Sequence, residues 1–267
     1  MTTAAVPTID VAALAEAHGD AMLAFARGML GSWADAEDVV QETFLRAHRE
    51  AAAFRGACAP STWVFAIARN ACLDRLRTRA ARSFAALDDV VHRGIREAAR
   101  PGALHAGADD VALRGQYVAA VRDGCLLGTL ACLTPDQRAA FVLRTLTDLP
   151  TDEVARVLDR SPNAVRVLVH RARARLKDFL CRRCSLWDQA NPCRCENLVA
   201  FSLTRGWIGP EGAGPSGGPQ LAEAAASAVD DVARLASLYE GACGGDARAD
   251  VAARLHAALA HLEALAR

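Results

Sequence analysis

The stretch TDEVARVLDRSPNAVRVLVHRARARLK, residues 151–177, decides the fold of this chain. Its apolar residues recur at helical spacing on both sides of a short turn, Asp159-Arg160-Ser161, and Thr151 is placed to cap the first segment. The second segment exposes polar and basic residues beside its apolar stripe. A helix, a short turn and a second helix of this kind predict a helix-turn-helix.

The second helix of this pair has the side chains that reading DNA requires. Asn163, Arg166, His170, Arg171 and Arg173 fall within reach of a groove. Because recognition helices usually enter the major groove by their N-terminal end, Arg166 is placed to bond a guanine edge. Arg171 and Arg173 are placed to hold phosphates. The alternative is a basic helix that is merely solvated, and the caps and the turn favour the DNA-reading interpretation.

Four cysteines follow this helix within fifteen positions: Cys181, Cys184, Cys193 and Cys195. Thiolates at Cys-x-x-Cys and Cys-x-Cys spacing suit tetrahedral Zn²⁺ or Cu(I), so the spacing predicts a metal site. A thiol–disulfide redox switch and inert cysteines are the alternatives that the spacing leaves open. The other cysteines are predicted to be buried small hydrophobic residues. They are Cys58, Cys72, Cys125, Cys132 and Cys243.

The composition predicts an all-α protein without a membrane segment. Of 267 residues, 52% are hydrophobic and 5% aromatic, with alanine and arginine abundant, and this balance favours helices over sheets. No run approaches the roughly 18 consecutive apolar residues of a bilayer-spanning helix. Residues 1–10 lack a basic segment followed by an apolar one, so we expect no signal peptide and a cytoplasmic protein.

The charge is balanced overall but divided along the chain. Basic and acidic residues both number 31, so the formal net charge is zero, which argues against an indiscriminate polycation. Residues 166–183 contain seven basic residues and one acid, whereas Asp35, Glu37, Asp38 and Glu42 form an early acidic face. This segregation suits a protein that has one partner for each face.

The helix predicted over residues 62–79 begins with aromatic residues and ends with basic ones. Trp63 and Phe65 follow a turn that contains glycine, and this arrangement can stack on exposed bases. Polar and basic side chains further along the helix can follow the DNA backbone. They are Arg69, Asn70, Arg75 and Arg77. The alternative is that Trp63 and Phe65 are core residues, and Phe65 is assigned to the core in either case.

Capping residues and changes of composition divide the chain into six segments. Gly31 should end the first helix, and Ser32, Ser61 and Thr134 should cap later ones, the last with Pro135 at the first helical position. The segments are a three-helix unit (10–80), a mobile linker (81–115), a helix-turn-helix unit (116–180), a cysteine-rich segment (181–205), a Gly/Pro-rich connector (206–219) and two alanine-rich amphipathic helices (220–267).

Stretches of the chain, taken in order, resemble extracytoplasmic-function (ECF) sigma factors of RNA polymerase. AEDVVQETFLRA (36–47) resembles the polymerase-clamp-binding part of region 2, and TWVFAIARNACLDRLR (62–77) is similar to the part that recognises the −10 element. LTPDQRAAF (133–141) and VHRAR (169–173) resemble region 4, which reads the −35 element. The resemblance covers residues 10–180. It implies two small helical domains joined by a flexible linker.

The resemblance also implies partners and contacts. Promoter DNA and core RNA polymerase, through its beta-prime clamp and beta flap, are the implied partners, and the polymerase supplies the chemistry, so the chain is not expected to be an enzyme. The loop of residues 54–61 is implied to capture a base flipped out of the −10 strand. Side chains implied to face the clamp are Asp35, Glu37, Asp38, Gln41, Glu42 and Phe44.

The chain departs from the family pattern within its recognition helix and beyond it. Val167-Leu168 stands where relatives often carry Ser-Arg, so the −35 specificity of relatives cannot be transferred. The cysteine-rich tail resembles tails on some sigma factors of this group, including metal-responsive ones. We therefore expect a sigma factor modulated by zinc, copper or redox state. The sequence leaves open whether a separate anti-sigma factor exists.

Two other functions compete with this expectation. A stand-alone helix-turn-helix regulator would bind duplex DNA without polymerase, and binding to core polymerase distinguishes it from a sigma factor. A thiol redox enzyme that uses Cys181 and Cys184 is disfavoured, because no strand-rich thioredoxin-like pattern surrounds them.

Overall fold

The structure is a computed structural model that describes residues 9–99, 111–147, 149–209 and Tyr239. These residues form helices and no strand, which confirms the all-α prediction. None of the helices in this part of the chain has both the length and the apolar character of a membrane span. The helices are α1 (Val11–Leu30), α2 (Trp33–Glu50), α3 (Pro60–Arg77), α4 (Phe84–Ala98), α5 (Val111–Ala131), α6 (Pro135–Thr145), α7 (Thr151–Leu158), α8 (Pro162–Cys181) and α9 (Val199–Leu203). Short 3₁₀ turns lie at Ala51–Ala53 and Cys195–Leu198.

The described residues separate into two compact units. The first unit holds α1–α3 with α6, α7 and α8 as far as Val169. The second unit holds α4, α5, the rest of α8, the segment that follows it and Tyr239. This division differs from the predicted units 10–80 and 116–180, because α6 and α7 pack with α1–α3. Local sequence patterns define helices but carry no information about which helices pack together.

Aromatic side chains of α1, α2 and α3 form the centre of the first unit. Phe25, Phe44 and Phe65 are no more than 1% exposed. The rings of Phe25 and Phe65 meet edge to face with their centroids 6.1 Å apart, an arrangement that aromatic quadrupoles favour. The core position predicted for Phe65 is confirmed.

The junction of α1 and α2 lies where the sequence predicts it. Gly31 has φ 75°, a left-handed conformation that glycine adopts without steric cost, and its N–H donates to the Arg27 carbonyl oxygen at 2.8 Å. Ser32 then caps α2, since its hydroxyl oxygen accepts a hydrogen bond from the Asp35 N–H at 3.3 Å. Both terminal signals are therefore confirmed.

Two predicted caps lie inside their helices. α3 begins at Pro60, so Ser61 is a helical residue and Ala59 takes the capping position. α7 begins at Thr151, and the residue before it is Pro150. Proline has a fixed φ and no N–H, so Pro60 opens α3 without a side-chain cap.

Polar contacts tie α6 and α7 to α1 and α3. The buried guanidinium of Arg138 donates to the Met29 carbonyl oxygen at 2.6 Å. The hydroxyl of Thr62 donates to the Glu153 carboxylate at 3.4 Å. A buried guanidinium is costly unless it is hydrogen-bonded, so the Arg138 contact favours this packing over looser ones.

The turn between α7 and α8 is a Schellman motif. Asp159 has φ 53°, and among the described residues no other non-glycine residue has a positive φ. The N–H of Asp159 donates to the Arg156 carbonyl oxygen at 3.2 Å, and the N–H of Arg160 donates to that of Ala155 at 2.9 Å. The turn predicted at residues 159–161 is thereby confirmed.

The linker predicted over residues 81–115 is wrong where α4 lies. α4 is a helix of 15 residues, and the Ser83 hydroxyl oxygen accepts a hydrogen bond from the Ala86 N–H at 3.1 Å. Val91 and Gly94 are buried on this helix, and Ile95 packs against the same core as Val91. His92, Arg93 and Gly94, which belong to the predicted linker, therefore lie within a regular amphipathic helix. Residues 100–110 of the predicted linker lie outside the described residues.

An apolar core joins α4, α5 and the segment after α8 within the second unit. α4 approaches that segment so closely that a Cβ at Gly94 would lie 2.5 Å from a methyl group of Leu198. The buried members of this core are Val91, Tyr117, Val121, Cys193, Leu198, Val199 and Ile208.

Most of the C-terminal predictions lie outside the described residues. The connector 206–219 is described as far as residue 209, and of the helices predicted over 220–267 only Tyr239 is described. Tyr239 is buried in the second unit, where its hydroxyl and that of Thr129 are hydrogen-bonded. Cys243 lies outside the described residues as well.

Replacing Asp159 tests the turn between α7 and α8. Asp159→Val should lower the free energy of unfolding by about 1–2 kcal/mol, because a β-branched side chain is strained at positive φ. Asp159→Gly should preserve stability, since glycine enters this conformation freely. Urea unfolding measures both, with Arg156→Val, an exposed helical site in α7, as control. Equal losses for Asp159→Val and Arg156→Val contradict the assignment.

Candidate polymerase, DNA and thiol sites

The first two turns of α8 belong to the first unit and expose polar side chains. Asn163 and Arg166 are exposed, whereas Val165 and Val169 are buried. The helix start is fixed by Ser161, whose hydroxyl oxygen accepts a hydrogen bond from the Ala164 N–H at 3.2 Å. The side chains predicted to read bases therefore point away from the core.

The remainder of α8 belongs to the second unit and continues the same alternation. His170 and Arg171 are exposed and Ala172 and Leu176 are buried, whereas Arg173 is half-buried. His170 and Arg171 are accessible to a DNA backbone, and Arg173 less so. DNA contact by these side chains stays a prediction.

Val167 interrupts the polar surface of the recognition helix. Its exposed fraction is 39%, which makes it one of the few large apolar side chains with such exposure in the described part of the chain. An apolar side chain in this position can contact a thymine methyl group but cannot hydrogen-bond a base. Val167, which departs from the family pattern, therefore lies on the surface of the helix.

The acidic side chains of α2 are held by arginines of the same unit. Asp35 pairs with Arg79 at 2.7 Å, and Glu42 pairs with Arg75 at 3.0 Å. A hydrogen bond with the Ser32 side chain and the contacts with Arg79 hold the pKa of Asp35 below its usual value. Part of the acidic face is therefore already neutralised by intramolecular pairs.

The other α2 side chains predicted to face polymerase differ in accessibility. Asp38 is exposed, and Glu37 and Gln41 are half-buried. Phe44 is 0% exposed, so its prediction as a polymerase contact is wrong. Phe44 falls on the apolar stripe of α2, and the adjacent acidic residues do not indicate which side of the helix it occupies.

The predicted DNA-binding residues of α3 are partly occupied by other contacts. Trp63 is half-buried and packs on Phe54, with ring centroids 5.4 Å apart. Arg69 donates to the Asn70 side-chain oxygen at 3.1 Å and pairs with Asp136 of α6 at 3.6 Å. Within this arrangement, Arg69 must exchange Asp136 for phosphate before it can bind DNA.

The basic residues near the end of α3 are the more accessible ones. Arg77 is exposed and pairs with Asp74 one turn earlier, whereas Arg75 is half-buried beside Glu42. Ion pairs at this exposure contribute little to stability. These arginines can therefore be redirected to DNA at small cost.

The segment after α8 folds into a closed loop between two cysteines. Cys184 and Cys193 form a single parallel bridge, in which the Ser185 N–H donates to the Cys193 carbonyl oxygen at 3.0 Å and the Cys193 N–H donates to that of Arg183 at 3.0 Å. Inside the loop, the amide of Asn191 donates to the carbonyl oxygens of Cys181 and Cys184. The described cysteines are all thiols.

Three of the predicted cysteine ligands meet at one small cavity, and a fourth thiol comes from α5. The cavity has a volume of about 20 Å³. Its thiol lining is Cys125, Cys184, Cys193 and Cys195, which we call the thiol cluster. Cys181 is not part of this lining, since it ends α8 and its sulfur faces the Asp178 carbonyl oxygen at 3.8 Å. The cavity is therefore lined by Cys125, which the sequence predicts to be a buried small hydrophobic residue, and not by Cys181. Metal ligation by the cysteines after α8 stays a prediction.

Burial and mutual proximity raise the pKa values of three thiols of the cluster, Cys125, Cys193 and Cys195. Burial is the largest cause throughout, and it raises the pKa of Cys193 to about 11 and that of Cys195 to about 12. The pKa of Cys125 is raised well above its usual value by burial and then by Cys193, Cys195 and Cys184. Each ionised thiol would therefore raise the pKa of the others. Among the described residues, no group of three or more Cys, His, Asp or Glu side chains is arranged to hold a metal ion as it stands.

An ion pair between Arg183 and Asp88 holds the segment after α8 to α4. The guanidinium of Arg183 forms two hydrogen bonds with the carboxylate of Asp88, one of them at 2.6 Å, and stacks 4.8 Å above the Phe179 ring. The Arg183 hydrogen bonds hold the pKa of Asp88 below its usual value. Bidentate geometry of this kind gives an ion pair directional specificity.

Comparison with known proteins identifies the family. The family models that match are Sigma-70 region 2, over residues 14–82, and Sigma-70, region 4, over residues 123–176. The RNA polymerase sigma factor CarQ of Myxococcus xanthus is 30% identical over 168 residues, which cover 61% of this chain and 84% of CarQ. The ECF RNA polymerase sigma-E factor of Salmonella typhimurium is 31% identical over 52% of this chain and 70% of that protein. The chain belongs to the ECF RNA polymerase sigma factors.

The match to other ECF sigma factors is partial. The ECF RNA polymerase sigma factor SigG of Mycobacterium tuberculosis is 34% identical over 180 residues, 63% of this chain, and the match spans about half of SigG, 48%. The region 4 match includes Cys125 but ends before Cys184. The thiol cluster therefore joins the ECF sigma core to a segment outside the family models.

Replacing Asp88 tests the ion pair that holds the segment to α4. Asp88→Asn should lower the free energy of unfolding by about 1 kcal/mol, between the values for exposed and buried pairs. Because the pKa of Asp88 is lowered on folding, the difference should be present above pH 4, roughly its unfolded pKa, and should vanish as pH falls through the folded pKa. Asp89→Asn, an exposed neighbour, is the matched control. A pH-independent difference, or an equal loss in the control, contradicts the role of the pair.

Proposed function

We propose that this chain is a sigma subunit that binds core RNA polymerase and directs promoter-specific initiation. The observation that carries the proposal is family membership, with matches to both Sigma-70 region 2 and Sigma-70 region 4 in one chain. Region 2 supplies the polymerase and −10 contacts in this account, and region 4 supplies the −35 contact. The chain itself contributes binding, and the polymerase contributes catalysis.

The exposed part of α2 supports the polymerase contact. Asp38 and Glu42 are exposed on this helix, and Gln41 lies half-buried between them in sequence. Arg75 is held by Glu42 and therefore lies beside the same surface. A small acidic patch rimmed by arginine favours a partner surface of mixed but mainly basic character.

The exposed part of α8 supports the −35 contact. Asn163 and Arg166 occupy the first turns, where recognition helices meet base edges. His170 and Arg171 follow on later turns, where backbone contacts are expected. Val167 lies between them and restricts the bases that this helix can accept, because it offers no hydrogen bond.

Transcription with core enzyme tests the proposal. Purified full-length chain and bacterial core RNA polymerase, free of other sigma factors, are incubated with a template library randomised at −10 and −35. We expect transcripts from a restricted set of templates only when both proteins are present. Asp38→Lys should weaken core binding, whereas Asp89→Lys, a charge reversal on α4, should not. Duplex binding of equal strength without polymerase, and no core binding, would identify a stand-alone regulator instead.

Two arginines of α8 are expected to play different roles. Arg166→Ala should cost about 1–3 kcal/mol on the selected promoter and relax base preference at one −35 position. Arg171→Ala should weaken binding to all sequences about equally. It should also reduce the slope of log affinity against log salt concentration by about 1, the contribution of one phosphate contact. Competition binding of holoenzyme to matched and single-base variant promoters, at two salt concentrations, separates the two. Indistinguishable effects would contradict the assigned orientation of α8.

We further propose that the thiols after α8 modulate this activity through metal ligation or redox state. The cavity between α4, α5 and residues 184–195 supports a role for these thiols beyond packing. The hydrogen bond from the Cys184 N–H to the Leu180 carbonyl oxygen, 2.9 Å long, attaches the loop to the last turn of α8. A change in the loop would therefore act first on that turn.

A further inference from the structure

We infer that the thiol cluster is a zinc site and that Cys181 takes no part in it. A regulatory role for this zinc site rests on the modulation proposed above. The ligand set itself rests on the structure of the second unit, where cysteines from two separate parts of the chain line one cavity.

The position of Cys125 is the observation that changes the ligand set. Cys125 lies on α5, near Arg122, and shares the cavity with cysteines that follow it by about sixty residues or more. Cys184 and Cys193 are buried, and Cys195 begins the 3₁₀ turn that packs on α5. A thiol from a helix and three from a folded loop can surround an ion on all sides, as tetrahedral ligation requires.

The surroundings of Cys181 exclude it from the same cavity. Cys181 is the last residue of α8, and its carbonyl oxygen accepts a hydrogen bond from the side-chain amide of Asn191 at 2.9 Å. Its sulfur faces the Asp178 carbonyl oxygen, toward the exposed side of the helix end. Cys181 is therefore absent from the residues that line the cavity.

The size and charge of the cavity favour one divalent cation. A volume of about 20 Å³ admits one small occupant. Four thiolates around Zn²⁺ leave two negative charges, whereas four around Cu(I) leave three, and uncompensated charge is costly in a buried site. Arg122 and Arg183 also line the cavity, although each is paired with a carboxylate. Zinc in a closed Cys₄ site therefore fits best.

Zinc uptake by these thiols is a proton exchange. A thiol must lose its proton to bond to zinc, so each sulfur that is protonated before binding releases its proton to solvent as it bonds to the ion. No redox step is involved. Among the described residues no three ligands are arranged to hold an ion, so zinc binding must draw the thiols closer to one another. This movement would tie α5 to the loop after α8.

Zinc affinity of cysteine variants tests the ligand set. The full-length chain is purified under reducing conditions, and zinc binding is measured by competition with a chromophoric chelator, without polymerase or DNA. We expect one zinc per chain in the parent and in Cys181→Ser and Cys58→Ser. Cys125→Ser and Cys195→Ser should bind zinc about 100-fold more weakly or worse.

Thiol alkylation of the parent protein provides a test that does not depend on the folding of variants. Zinc should protect Cys125, Cys184, Cys193 and Cys195 from alkylation in mass spectra, while Cys181 is modified at the same rate with and without zinc. Protection of Cys181 in place of Cys125, a loss of affinity in Cys181→Ser alone, or no zinc binding by the parent would overturn the inference. Because no measurement involves transcription, these failures are distinct from a failure of sigma activity.

Discussion

Burial of several thiols around one cavity is the constraint on which the second unit depends. Apolar side chains such as Val91, Leu126 and Leu198 line the same cavity, and they cannot solvate a thiolate. Ionising one thiol raises the pKa of the next. The thiol cluster is therefore stable in two states, as neutral thiols without an ion or as thiolates that surround a cation. A change from one state to the other alters how α5 is held to the loop after α8.

The placement of that constraint within an ECF sigma factor gives it a functional meaning. The region 4 match ends at residue 176, and the loop after α8 begins within a few residues of that point. Hydrogen bonds from the Cys184 N–H and the Asn191 amide fasten the loop to the last turn of α8. Under the proposed function, α8 reads the promoter, and its attachment to the thiol cluster would let metal binding act on that helix directly.

Local signals predicted much of the fold, and long-range contacts explain what the sequence did not reveal. The caps at Gly31 and Ser32 and the turn at Asp159 depend on neighbouring backbone groups, so the local sequence is sufficient to predict them. Phe44 lies beside acidic residues on the same helix, and only packing shows that it faces inward. Cys125 has no cysteine nearby in sequence, and only the fold brings it to the cavity.

X-ray absorption at the zinc edge of the full-length, zinc-loaded protein tests directly whether the thiol cluster holds the ion. We expect four sulfur ligands at about 2.3 Å, with a spectrum unchanged in Cys181→Ser and altered in Cys125→Ser. Nitrogen or oxygen ligands at about 2.0–2.1 Å in the parent, or a spectrum that changes with Cys181 and not with Cys125, would contradict it.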